Sequence, residues 1–390
     1  MRSMACAGLA AVGLAALASF QVVAQQRGPI PVSNLTAAQQ LAFDEGNRTF
    51  SKTYAVEDGL GPIFNDRSCV ACHRGGGGSN RTVRRFGRVE NGVFDPLIEL
   101  GGSLIQSRGI GLVTTNAGAH DFGGERTPPQ ANVTTVRRTT TLLGLGFVDA
   151  VPDSAWLALV DAEAAAADGT AGRIHVVLDL ATRRPAVGKF GWKAQVPTLL
   201  QFSGDALLNE MGITNPEFRD EACPDGDCAA LAFNPTPALN DDGRDVAQLT
   251  DFQTMLAPPV RGAVTADVTA GESIFGEIGC ASCHRPTLQT GPSAIAALNR
   301  ATFHPYSDFL LHDMGSLGDG IVQGQATGRD MRTAPLWGLG GASRLLHDGS
   351  AVSPEQAIQR HDGQARAARD RFTALDPARS ALLVAFLRSL

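Results

Sequence analysis

Residues 69–73 read Cys-Val-Ala-Cys-His, and residues 280–284 read Cys-Ala-Ser-Cys-His. Each is the attachment pattern of a c-type haem. Two thiols, two residues apart, reach the vinyl groups along one porphyrin edge, and the adjacent imidazole becomes an iron ligand. Chance is a weak rival: 7 Cys and 8 His in 390 residues yield about 0.003 such patterns in random order, and two are present. Zinc would call for further Cys/His pairs nearby, and a redox dithiol for a βαβ context; neither is evident. The expectation is two covalently bound haem c groups, one on Cys69, Cys72 and His73, the other on Cys280, Cys283 and His284.

The amino terminus agrees. Met1-Arg2 is followed by a small apolar run from Ala5 to Ala18 and by Val22-Val23-Ala24, which suits signal peptidase. Residues 1–24 read as a signal peptide, and the destination as the periplasm, because c-type haem is attached outside the bacterial cytoplasm. The run is too short and Ala-rich to predict a stable membrane span. Cys6 leaves with it. Cys223 and Cys228 then remain, in Cys-Pro-Asp-Gly-Asp-Cys. A turn signal in an oxidising compartment favours a local disulfide, with two free thiols as the alternative. The formal charge is −6. With no basic stripe, nucleic acid is not an expected partner; an acidic surface suits a basic redox partner.

Residues 137–146, Arg-Arg-Thr-Thr-Thr-Leu-Leu-Gly-Leu-Gly, are echoed by 331–340, Met-Arg-Thr-Ala-Pro-Leu-Trp-Gly-Leu-Gly, each downstream of its own haem motif. This faint repeat predicts a mainly α chain of two tandem cytochrome c-like haem domains. The divisions are an N-terminal haem domain over 30–217, a Pro-, Gly- and Asp-rich linker over 218–262, and a C-terminal haem domain over 263–390. Helices are expected over 36–47, over 269–278 into Cys280, and after Asp376, a cap with Pro377 in the first turn. The last two should pack together and close the second domain. Alternation at Ile174, Val176 and Leu178, with a turn at Arg183-Arg184-Pro185, predicts a β-hairpin insertion over 173–192.

As an ordered set, several further stretches resemble the di-haem oxidoreductase family, a branch of the bacterial di-haem cytochrome c peroxidase group. They are Gly61-Pro62-Ile63-Phe64-Asn65, Gly188-Lys189-Phe190-Gly191-Trp192-Lys193-Ala194, Asn209-Glu210-Met211-Gly212, Leu311-His312-Asp313-Met314-Gly315, Met331-Arg332-Thr333-Ala334-Pro335, Leu346-His347-Asp348-Gly349 and Ala357-Ile358-Gln359-Arg360-His361. The resemblance implies that Trp192 lies between the haems and that Glu210 is a distal acid. It implies, too, that the position fourteen residues after His347 ligates haem 2. The peroxidases of the group have methionine there. This chain has His361, so the second haem is expected to be bis-histidine, through His284 and His361, with a lowered potential. The resemblance further implies a resting ligand near His120, a structural His347, and an interdomain Ca2+ near Thr333 and Pro335. His312 and Met314 are alternative haem 2 ligands, a packing or propionate role being preferred for them. His175 reads as a surface or cross-strand residue and His304 as a loop residue.

Peroxide chemistry needs an iron with an open position and a group that moves a proton between the two oxygens. Haem 1, with His73 below and Glu210 above, is the candidate, and Trp192 with haem 2 the electron relay. Expected partners are peroxide or another small oxidant, and a small redox protein or other electron donor. Two other readings stay open: an electron-transfer cytochrome without substrate chemistry, and a di-haem oxygenase.

Overall fold

The computed structural model describes residues 28–390 except 117. The signal peptide expected over 1–24 therefore lies outside the described residues. Among those described, no helix is long and apolar enough to cross a membrane. Helix accounts for about 38% of the chain and strand for 17%, so the chain is mainly α.

Two helix pairs organise it. The first opening helix, Ala37–Ser51, starts at a capping box in which Thr36 and Gln39 satisfy each other's backbone N–H groups. It crosses helix Arg244–Met255, whose first turn is held by Asp241 accepting from the N–H groups of Asp245 and Val246. The second opening helix, Ala266–Glu277, is capped by Thr265 and crosses helix Pro377–Ser389, capped by Asp376. Both crossings are close for the same reason. A Cβ on Gly46 would stand 2.2 Å from the Gln248 carbonyl oxygen, and one on Gly271 2.1 Å from that of Leu382. Each glycine is followed four residues later by a phenylalanine that meets the partner helix. Phe50 lies 4.7 Å from Phe252 and Phe275 5.2 Å from Phe386, ring to ring.

The helix over 244–255 falls inside the segment expected to be linker. Val246, Leu249, Phe252 and Met255 are buried in the first core with Phe43, Phe50 and Trp156. Their spacing of three is helical; the Pro- and Asp-rich residues before them obscured it.

The hairpin is present, pairing Val176–Asp179 with Arg184–Val187, and Asp179 ties its turn by accepting from Ala181 N and Thr182 Oγ1. Sequence reading missed a second β region. Thr82–Glu90 pairs with both Val93–Asp95 and Val133–Arg138, and Gly111–Thr115 pairs with Gly118–Phe122. Asn91-Gly92, both at positive φ, is the turn signal that could have found it. Cys223 and Cys228 form a disulfide.

Candidate functional site

Each haem motif is a single helical turn that ends in its histidine. The His73 N–H donates to the Cys69 carbonyl at 2.8 Å, and the His284 N–H to that of Cys280 at 2.9 Å. This brings both thiols and the imidazole onto one wall. Burial pushes the Cys69 and Cys280 thiols up to about 12 and the Cys72 thiol up to about 11, so they are neutral. Burial also drives the His73 and His284 imidazoles down to about 4, leaving them as neutral donors. A phenylalanine braces each: Phe50 lies 6.4 Å from His73, and Phe275 6.4 Å from His284.

At the second motif a further imidazole faces the first. The His284 and His361 rings stand 6.4 Å apart, centroid to centroid. His284 Nδ1 is held by the Tyr306 carbonyl at 3.0 Å and His361 Nδ1 by that of Ala357 at 2.7 Å, which leaves each Nε2 for a metal. An iron with bonds of about 2 Å to two imidazole nitrogens separates the ring centres by about 6 Å. These residues fit a bis-imidazole haem.

The first motif differs. Among the described residues, no second imidazole ring packs against His73. His120, a possible resting ligand by resemblance, sits on strand Gly118–Phe122 in ring contact with Phe122 at 4.5 Å and Phe233 at 5.4 Å. What the first motif has instead is a carboxyl. Glu210 ends helix Leu199–Met211, and its carbonyl accepts from the N–H groups of Asn65 and Asp66. Its carboxylate accepts from Asn65 Nδ2 at 3.0 Å, while Asn65 Oδ1 accepts from the N–H and hydroxyl of Ser107. Asn65 lies four residues before Cys69, so the loop that leads into the motif also orients the acid. Burial pushes the Glu210 carboxyl above the usual range, against the lowering effect of the Asn65 bond and of Arg85. After burial, Glu210 is the largest influence raising Cys72, which puts it beside the motif. Asp205, on the same helix, is raised to about 6 by burial and accepts from Asn209 Nδ2.

Trp192 is buried and tethered at both ends. Its indole N–H donates to the Arg138 carbonyl at 2.9 Å, its own carbonyl accepts from Arg332 N at 2.9 Å, and its ring meets that of His347 at 6.2 Å. His347 is buried. His312 is buried too, bonded to Asp308 at 2.9 Å with Cys283 Sγ at 3.6 Å, within the chain's Cys283–Asp308–His312 cluster. Because Cys283 belongs to a haem motif, that cluster reads as packing around it. His175 is not on the surface: it is buried, with Nδ1 bonded to the Lys193 carbonyl and Nε2 accepting from Gln325 N. The cross-strand alternative is the one observed, the His175 carbonyl accepting from Gly188 N across the hairpin, while Gly324 and Gln325 cover its ring. His304 pairs with Thr287.

Calcium does not fit near Thr333 and Pro335. The ion takes six to eight oxygens, yet the Thr333 carbonyl is already bonded to Ser307 Oγ and Arg332 Nη1, and the charged groups lining the adjoining cavity are Arg138, Lys189 and Arg332. The nearby Asp319 carboxylate and the Thr327 and Asp330 carbonyls are taken by the fully buried Lys193 ammonium.

A family model described as "Di-haem oxidoreductase, putative peroxidase" matches residues 130–390. That span holds Trp192, Glu210, the second motif and His361, and begins after the first motif. Among solved structures, the chain is similar to the diheme peroxidase BthA from Burkholderia thailandensis E264, at 15% identity, 92% of this chain, 87% of that one and a TM-score of 0.41. It is also similar to a MauG-like protein associated with microbial copper homeostasis (16%, 95%, 94%, 0.40) and to hydrazine synthase of Kuenenia stuttgartiensis (14%, 97%, 100%, 0.36). No curated protein matches the sequence.

Proposed function

The chain belongs to the di-haem oxidoreductase family, and on that premise we propose a peroxidase-like enzyme in which peroxide is handled at the first haem motif and electrons enter through the second. Cys69, Cys72 and His73 would hold one haem c. Cys280, Cys283, His284 and His361 would hold the other, with two imidazoles on its iron. When bound, the haems supply the electron transfer that no side chain here can. The first domain would close with helix Arg244–Met255 and the second with Pro377–Ser389. Residues 1–24 would direct export to the periplasm, where a small redox protein or other donor supplies electrons.

The observation that carries this reading is an asymmetry. The second motif has two opposed imidazoles, whereas the first has one imidazole and a buried carboxyl. A pure electron carrier gains nothing from a desolvated acid beside one haem. In the reduction of peroxide to water, which consumes two electrons and two protons, Glu210 would take a proton from one peroxide oxygen and return it to the other. Asn65 would hold the carboxylate in place, and Trp192 would bridge the two haem sites.

Low-temperature electron paramagnetic resonance tests the asymmetry. The oxidised or one-electron-reduced protein should show a high-spin ferric signal that peroxide quenches, beside a low-spin bis-imidazole one. Two low-spin signals indifferent to peroxide in both states would make the chain an electron carrier.

Two variants extend the test. His361→Met should raise the potential of one haem, since a thioether favours the reduced iron more than imidazole does; shifts in both haems, or in neither, would remove His361 as a ligand. Asn65→Leu should move the acid limb of the peroxide rate to higher pH. Glu210 must be ionised to accept a proton, its pKa is raised, and the Asn65 bond is the largest influence holding it down. An unmoved limb would mean that another group titrates there.

A further inference from the structure

The internal repeat aligns Arg138 with Arg332, and the structure gives the two the same unusual situation. Arg138 is half-buried, with Nε 3.5 Å from the Leu346 carbonyl. Arg332 is buried, with Nε donating to the Gly191 carbonyl at 2.7 Å and Nη1 to that of Thr333 at 2.9 Å. Neither forms an ion pair with a carboxylate among the described residues. The neighbouring Arg137 does, to Asp319 at 2.7 Å, so the fold can supply an acid where one is wanted. Both unpaired guanidinium groups line one cavity with Lys189, Trp192, Thr140 and Pro335, and no acidic side chain lines it. A desolvated guanidinium is costly unless a negative group compensates it; Asp308 acts on Arg332 without lining the cavity, and every charged group that does line it is positive, so this cavity is built for anions. Burial lowers both arginines from their usual range, Arg332 to about 10.

The placement says which anions. Leu142, four residues after Arg138, donates its N–H to the Gly76 carbonyl beside the first motif. Thr333, next to Arg332, accepts from Ser307, and Asp308 N donates to the Cys283 carbonyl in the second motif. Each arginine therefore sits on a segment seated against its own haem motif, and each haem brings two carboxylates on its edge. Trp192 is bonded to the backbone of both arginines.

We propose that Arg138 and Arg332 are repeat-related propionate anchors, Arg138 for the haem of the first motif and Arg332 for that of the second. Trp192, tethered to both, thereby lies between the two propionate-bearing haem edges. The proposal rests on the two-haem reading above.

That reading is checked first, by haem content and intact mass of the wild-type protein; fewer than two covalent haems per chain would overturn it, independently of the arginines. The anchors are then tested by redox titration of Arg138→Gln and Arg332→Gln. Removing a positive charge beside a haem disfavours its reduced form, so each variant should lower one potential. The expected shift is at least tenfold in the electron-binding constant, or 59 mV for one electron. Arg332→Gln should act on the bis-imidazole haem and Arg138→Gln on the other. No shift in either, or the same haem shifting in both, would overturn the assignment. Arg138→Lys and Arg332→Lys keep the charge and should recover most of the shift; an undiminished shift in the lysine variants would mean disturbed packing and would overturn it too. A small anion bound in the cavity instead would leave both potentials unmoved.

Discussion

Glu210→Gln should slow the reaction with peroxide by about 10²- to 10⁴-fold, the range spanned by a positioned general acid–base. Both haems should be retained. The substitution is close to isosteric. The Asn65 side-chain amide can still donate to the new amide oxygen, and the backbone bonds from Asn65 and Asp66 to the residue 210 carbonyl are untouched. What is lost is the ability to take up and release a proton at that point. The measurement is stopped-flow mixing of peroxide with the active redox state, with haem absorbance checked beforehand. A rate within about threefold of the wild type would leave Glu210 as a buried structural carboxylate, since acid–base catalysis worth less than that is not a mechanism. Glu210→Asp sharpens the test. It keeps the ionisable group but withdraws it by one methylene, so an intermediate rate would show that reach as well as protonation matters.

Much of this candidate site is legible in the chain because the Cys-x-x-Cys-His pattern tolerates little variation. The two Cys-x-x-Cys-His motifs mark the two candidate haem walls, and the structure places Glu210 beside the first and His361 opposite the histidine of the second. The resemblance assigns His284 and His361 to one haem, and their rings stand 6.4 Å apart, facing each other. Other parts resisted for identifiable reasons. Helix Arg244–Met255 follows residues rich in turn formers, and composition outweighed its three-residue spacing. The strands between 82 and 138 carry adjacent arginines, Arg84-Arg85 and Arg137-Arg138, which break the apolar alternation, although Arg85 and Arg137 are largely buried with their charges turned inward. For His175 the sequence left surface and cross-strand placements open, because pattern reports which face of a strand a residue occupies, not what covers that face. The unpaired arginines could not be recognised from sequence at all. A lone Arg in a repeat is unremarkable until it is seen, without an ion pair, on the wall of a cavity that no acidic side chain lines.

Gly46→Ala and Gly271→Ala should each destabilise the protein by about 3 kcal/mol, enough to lower the denaturation midpoint by several degrees. Helix propensity alone predicts the opposite sign, because replacing glycine by alanine inside a helix stabilises it by about 1 kcal/mol. Contact wins here. The new methyl would lie 2.2 Å from the Gln248 carbonyl oxygen in one case and 2.1 Å from that of Leu382 in the other. These atoms are backbone in the middle of a partner helix, so relief requires the helices to move apart. Separation would loosen Phe50 from Phe252 or Phe275 from Phe386, and with them the phenylalanines that brace His73 and His284. The two variants should therefore differ in consequence while agreeing in size. Gly46→Ala should disturb the spectrum of the haem at the first motif and Gly271→Ala that of the bis-imidazole haem, each leaving the other as it was. A stabilising effect at either position would mean that the helices do not cross at the glycine. A spectral change at the wrong haem would break the correspondence between the two helix pairs and the two motifs.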